Sequence, residues 1–100
     1  MNKLYISDHT YAYSEDYFDD QPPGKMAYTN NHLGTIRVRA SMEESIKRST
    51  IMHEVIHALC CINDLQFDNG ETNVSVLANG ILMFMRDNPE MAKRLLARSV

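Results

Sequence analysis

Hydrophobic and polar positions change period once along the chain. Ile36, Val38 and Ala40 alternate with Thr35, Arg37 and Arg39, the period-two signature of a strand with one buried and one wetted face. Residues 25–29 lie across Asn30-Asn31-His32-Leu33-Gly34 from that run, so residues 25–40 are predicted to form a hairpin. Leu4-Tyr5-Ile6 is a further short β-prone segment. The acidic, tyrosine-rich stretch between them, ending in Gln21-Pro22-Pro23-Gly24, reads as a loop.

Beyond residue 40 the period becomes helical. Ile46, Met52, Val55, Ile56, Leu59 and Cys60 recur at helical spacing, and Ser41 followed by Glu44 reads as a capping box, which predicts a helix over 42–62. A second helix is predicted over 70–86. A third runs over 89–98, separated from the second by Asn88-Pro89. The plan is α+β: a small N-terminal antiparallel sheet or hairpin followed by three helices. With 100 residues and no repeat, the chain is expected to be one domain with one modest core.

Inside the first helix stands His53-Glu54-Val55-Ile56-His57. Residues four apart share a helix face, so His53 and His57 can reach one ion. Zinc takes imidazole nitrogens and prefers four tetrahedral ligands; two histidines and a third protein ligand leave the fourth position to water. Glu54, on the same turn, is then the expected general base and acid for that water. Two satisfied histidines flanking a surface glutamate are the bland alternative.

The third ligand must come from the carboxylates after His57, since no histidine follows. Glu71 is preferred. It opens the second helix and shares helical spacing with Val74, Ala78, Ile81 and Met85, and a carboxylate on a core-facing stripe needs a partner. The competing role is capping-box partner to Asp68. Asp64, seven residues past His57, is the second candidate, although Asn63-Asp64 has the look of a helix end.

Charge and composition narrow the rest. A net charge of −3, with acidic residues crowded before residue 21 and basic ones toward the tail, lacks the footprint of a nucleic-acid binder. No apolar run is long enough for a signal peptide or membrane span, so a cytoplasmic location without membrane association is expected. Adjacent Cys60 and Cys61 cannot build a disulfide framework, which fits a reducing compartment; small core residues are the expected role.

The order of hairpin, His-Glu-x-x-His helix and the following Glu71-Thr-Asn-Val74-Ser-Val-Leu-Ala78-Asn79-Gly80 helix resembles the small gluzincin-type metallopeptidases of the ImmA/IrrE kind, including short phage or prophage proteins with that core. The similarity spans residues 25–90. It implies a minimal zincin-like fold, zinc held by His53, His57 and Glu71, Glu54 as base and acid, and residues 35–40 as the strand bordering the substrate cleft. It also implies a protein or peptide substrate, of the repressor type in characterised relatives. The chain departs from larger gluzincins in having no Tyr or His after residue 57, so an oxyanion-stabilising group would have to come from His9, Tyr28, His32, Arg37 or Arg39. A zinc-binding module that captures a partner without turnover, and a regulatory or structural domain in which the motif is incidental, remain as alternatives. Oligomeric state is not readable from the sequence.

Overall fold

In a computed structural model, residues 2–18, 20–21, 24–65 and 71–97 are described, with Glu71 and Thr72 as main chain only. Four strands, β1 (Lys3–Ile6), β2 (His9–Asp16), β3 (Ala27–Asn30) and β4 (Thr35–Arg39), precede three helices, α1 (Glu44–Ile62), α2 (Glu71–Asp87) and α3 (Pro89–Leu95). The α+β expectation of an N-terminal sheet followed by three helices holds.

The sheet order is β1-β2-β4-β3. β1 and β2 form one antiparallel hairpin and β3 and β4 another, and the two join where β2 runs parallel to β4. The sheet is therefore mixed rather than antiparallel throughout as expected, because the two hairpins meet through like-directed strands, and β1 and β3 are its edges.

β2 corrects the reading of the N-terminal stretch as a loop. Tyr11 and Tyr13 are buried, while Thr10, Ala12 and Ser14 are exposed, a period-two pattern carried by tyrosines. Register places Tyr11 opposite Leu4 and Tyr13 opposite Ile36, with Glu15 opposite Val38 and Ala27 opposite Val38 from the other side. One face therefore gathers Leu4, Ile6, Tyr11, Tyr13, Ile36 and Val38 against Ile51, Val55, Ala58 and Leu59 of α1, Phe84 of α2 and Met91 of α3. Burying each such side chain contributes about 1.5–3 kcal/mol.

On the opposite face Phe18, 2% exposed, packs 5.8 Å from the Tyr28 ring, with Arg37 stacked 4.9 Å from its own ring centroid. Phe18 does this at a φ of 57°, a conformation that costs a bulky residue energy and that its burial offsets.

The start of α1 departs from the predicted capping box. The N-cap residue is Glu43, without a side-chain cap, and Ser45 Oγ donates to Glu43 Oε1 at 2.8 Å. An ion network fastens this end of α1 instead. Glu15 on β2 accepts from Lys47 Nζ at 3.0 Å, from the Tyr13 hydroxyl at 2.8 Å and from both Arg94 nitrogens, while Arg94 Nε also donates to Glu44 Oε2 at 3.0 Å. Sheet, α1 and α3 are thus tied at one point.

α2 packs antiparallel to α1. A Cβ on Gly80 would stand 2.9 Å from Leu59 Cδ2, and Met85, near the other end of α2, borders a cleft with Ser45, Arg48 and Met52 of α1. Leu77, Ile81 and Met85 pack on the core around Phe84. Of the stripe that the sequence assigned to Glu71, Ile81 and Met85 are therefore packed, whereas Val74, 52% exposed, and Ala78 face outward. Ile46, expected on the buried side of α1, is also exposed. Cys60 is half-buried and Cys61 exposed, both as free thiols, so Cys61 is not the core residue expected. No helix among the described residues is long and apolar enough to cross a membrane.

Candidate metal and peptide site

The motif falls in the middle of α1, and the helix sorts its three polar residues by phase. Val55, Ala58 and Leu59 take the inward positions and leave His53 and His57 exposed, whereas Glu54, next to the core stripe, is only 6% exposed. Four-residue spacing brings the imidazoles together: His53 Nε2 and His57 Nε2 are 3.0 Å apart, with ring centroids 4.6 Å apart at an interplanar angle of 76°. Two imidazole nitrogens bound to one tetrahedral zinc stand about 3.3 Å apart. The donor type suits a single ion; the two nitrogens stand within hydrogen-bond distance of each other, a few tenths of an ångström closer than a zinc-bound pair.

Glu54 does not point idly into the helix surface. Its Oε1 accepts a hydrogen bond from Thr29 Oγ1 at 2.7 Å, and the same hydroxyl lies 3.2 Å from the Glu54 carbonyl oxygen. Thr29 sits on β3, so the carboxylate bridges helix and edge strand.

Between these elements runs a cleft. One cavity, about 360 Å³, is lined by Lys25, Ala27, Tyr28, Thr29, Asn31, His53, Glu54 and His57, so Tyr28 is the one suggested oxyanion residue that borders it. A second, about 500 Å³, continues it past Gly24, Met26, Ser49 and Thr50.

The strand along the cleft is β3, which corrects the expectation that residues 35–40 border it. β4 is paired on both sides, to β2 and to β3, and has no free edge to offer. Polarity of the β3 edge follows from pairing. Arg39 N–H donates to the Met26 carbonyl at 2.8 Å, and alternation then turns Tyr28 and Asn30 toward β4 and leaves the N–H and C=O of Ala27 and Thr29 directed outward. An extended peptide could add there as a further strand.

The third ligand stands differently. Glu71 is the first residue of α2, but its side chain lies outside the described residues, as does Asp68. The Gly80–Leu59 contact locates its main chain: Glu71 lies about 13 Å along α2 from that contact, toward the C-terminal end of α1, and His57 lies on the other side of it. Asp64 is exposed just past the helix end, at a φ of 51°, as Asn63-Asp64 suggested. Among the described residues, no group of three His, Cys, Asp or Glu side chains is placed to hold one ion.

The suggested oxyanion groups are mostly engaged elsewhere. Arg37 forms paired bonds of 2.9–3.0 Å to Asp16 and Asp20 and donates to the Tyr28 hydroxyl at 2.6 Å, on the face away from α1. Asp16, with Arg37 as the first cause, is held below the usual carboxylate range. Arg39 donates to the Lys25 and Tyr17 carbonyls. His9 and His32 are exposed at strand and turn positions and neither lines the cleft cavities.

Three cleft residues escaped the sequence reading: Lys25, Thr29 and Asn31. Asn31 Oδ1 accepts from the Tyr11 hydroxyl at 2.8 Å. The alternation of Ala27 and Thr29 on a half-buried strand was the one available signal, and it needed the strand order to be useful. Comparison of the chain with models of known families, with curated proteins and with solved structures finds no match.

Proposed function

We propose that the chain is a zinc-dependent metallopeptidase acting on an extended segment of a protein or peptide substrate. The observation that carries this is the convergence of His53 Nε2 and His57 Nε2, 3.0 Å apart, beside a buried glutamate and a free strand edge. His53 and His57 would hold the ion. Zinc supplies Lewis acidity toward the scissile carbonyl and the attacking water when bound. The chain does the rest: Ala27 and Thr29 hold the substrate main chain along β3, and Glu54 takes the proton of the attacking water and returns it to the leaving amine. The resemblance to ImmA/IrrE-type peptidases supports Glu71 as third ligand.

Metal content by mass spectrometry on untagged wild type, His53→Ala, Glu54→Gln and Glu71→Ala tests this assignment. About one zinc per chain is expected in wild type and Glu54→Gln, with a marked loss in His53→Ala and Glu71→Ala. Zinc retained in Glu71→Ala would reduce the protein ligands to the two histidines. Wild type without metal, even after zinc is supplied, would sink the peptidase assignment.

A second function, zinc-dependent capture of a partner without turnover, is favoured by the engagement of Arg37 with Asp16 and Asp20, which takes that candidate away from the developing oxyanion. Glu54→Gln separates the two: it abolishes hydrolysis by a peptidase and leaves capture of a partner intact.

A further inference from the structure

The Glu54 carboxylate carries the chemistry proposed above, yet a glutamate on a helix has three rotatable bonds and helical geometry alone does not fix its oxygens. Something must hold it. Thr29 is that group among the described residues: Oγ1 stands 2.7 Å from Glu54 Oε1 and 3.2 Å from the Glu54 carbonyl oxygen. A hydroxyl has one hydrogen to give, and the nearer, charged acceptor takes it.

Thr29 itself is well anchored. It is β-branched, so its χ1 is restricted on an extended backbone, and it sits opposite Ile36, a fully buried residue of β4. Its hydroxyl is therefore presented from a rigid strand to a carboxylate that is itself 6% exposed. Oε1 is engaged by that hydroxyl, and no hydrogen bond among the described residues engages Oε2.

We propose that Thr29 is a positioning residue for hydrolysis at this site, its hydroxyl fixing Glu54 Oε1 so that Oε2 receives the proton of the attacking water. The same residue presents its main-chain N–H and C=O on the free strand edge. Substrate bound along β3 and the base that acts on it are thus set by one residue, and the distance between them does not depend on a mobile side chain. This rests on the zinc peptidase function above.

The test uses acetohydroxamate, a small chelator of zinc whose bound form offers a hydrogen bond to a neighbouring base, and reads affinity by calorimetry without requiring turnover. Wild type, Thr29→Ser, Thr29→Val, Glu54→Gln and the Thr29→Val/Glu54→Gln double variant are zinc-loaded and their metal content measured first. Loss of one hydrogen bond to a charged group predicts about tenfold weaker binding in Thr29→Val. Thr29→Ser, which keeps the hydroxyl, should remain within about twofold of wild type. In the Glu54→Gln background, Thr29→Val should add nothing, because its effect passes through the carboxylate.

Equal affinity of Thr29→Val and wild type, or an equal loss in both backgrounds, would overturn the positioning role while the metal site stands. Wild type that takes no zinc, or takes zinc and does not bind the chelator, overturns the peptidase function itself and this role with it. Thr29→Ala carries the same comparisons if Thr29→Val fails to fold.

Discussion

The side-chain amide of Asn88 pairs with the main chain of Tyr5 as another strand would. Its Nδ2 donates to the Tyr5 carbonyl at 2.6 Å and its Oδ1 accepts from the Tyr5 N–H at 2.8 Å, while Nδ2 also donates to the Phe84 carbonyl at 2.8 Å. Asn88 is 7% exposed, at the corner between α2 and α3. One sheet edge is therefore closed by a single amide.

Removing that amide takes the partner from the part-buried Tyr5 N–H and carbonyl, while the Phe84 carbonyl keeps the Asn88 main-chain N–H. Asn88→Ala is expected to cost about 2–3 kcal/mol, the sum of a few modest hydrogen bonds and the desolvation of their orphaned partners. Urea denaturation checks this. Asn88→Asp should cost a similar amount, since a carboxylate keeps the acceptor for Tyr5 N–H and loses both donors. A variant within about 0.5 kcal/mol of wild type would show that water replaces the amide.

The polarity of the opposite edge yields a paired test. Proline removes an N–H, so it harms a strand only where that N–H is in the ladder. Ala27→Pro is expected to cost about 1 kcal/mol, whereas Tyr28→Pro, at a ladder position, should cost about 3 kcal/mol. Thermal or urea unfolding of the two variants would decide. The reverse order would mean that Ala27, not Tyr28, faces β4.

Acid should loosen the joint between sheet and helices. Arg94 above all, then the Tyr13 hydroxyl and the Lys47 ammonium, draw the Glu15 carboxyl from 4.5 down to about 2, against the opposing effect of burial. A folded-state value below the unfolded one means stability that is fully present above about 4.5 and is lost as pH falls toward about 2. The urea midpoint of wild type should therefore decline through that window. In Glu15→Gln, which has no proton to gain, the decline should be shallower, with lower stability at neutral pH. Parallel curves would remove Glu15 from the acid response.

Gly80 of α2 packs directly against Leu59 of α1. An added Cβ meets the far end of the Leu59 side chain at 2.9 Å, which a small rotation relieves, and alanine regains about 1 kcal/mol of helix propensity. Gly80→Ala is thus expected to stay within about 1 kcal/mol of wild type. Gly80→Leu, too large for any rotation of Leu59, should cost about 1–3 kcal/mol by overpacking. Chemical denaturation with an unchanged slope would confirm that only packing has altered.

What the sequence disclosed depended on the range of the interactions. The His53–His57 pair was legible because helical spacing alone brings the two rings together, and the break between α2 and α3 followed from Asn88-Pro89, although α3 stops at Leu95, short of the expected 98. β2 was hidden because its buried positions are tyrosines set among exposed and acidic neighbours, so composition suggested a loop where period two was present in Tyr11 and Tyr13. The helix start was misread for the opposite reason: Ser41 and Glu44 have the right types, but Glu44 is committed to Arg94, fifty positions away. Which strand borders the cleft was beyond local pattern, since β3 and β4 differ only in having a neighbour on one side or two. The packed face of α2 was half legible: Ile81 and Met85 are on it, whereas Val74 and Ala78 are apolar without being covered.

The parallel seam between β2 and β4 has a kinetic consequence. Each hairpin closes through near neighbours in the chain, whereas the seam pairs Ala12 with Thr35 and Tyr13 with Ile36, and such distant pairings form late because their loop must close first. Two locally made ribbons therefore wait on one docking event, which also completes the surface that receives α1. Once formed, that seam is the part of the sheet farthest from either edge, and its amides should exchange with solvent only when the whole domain opens.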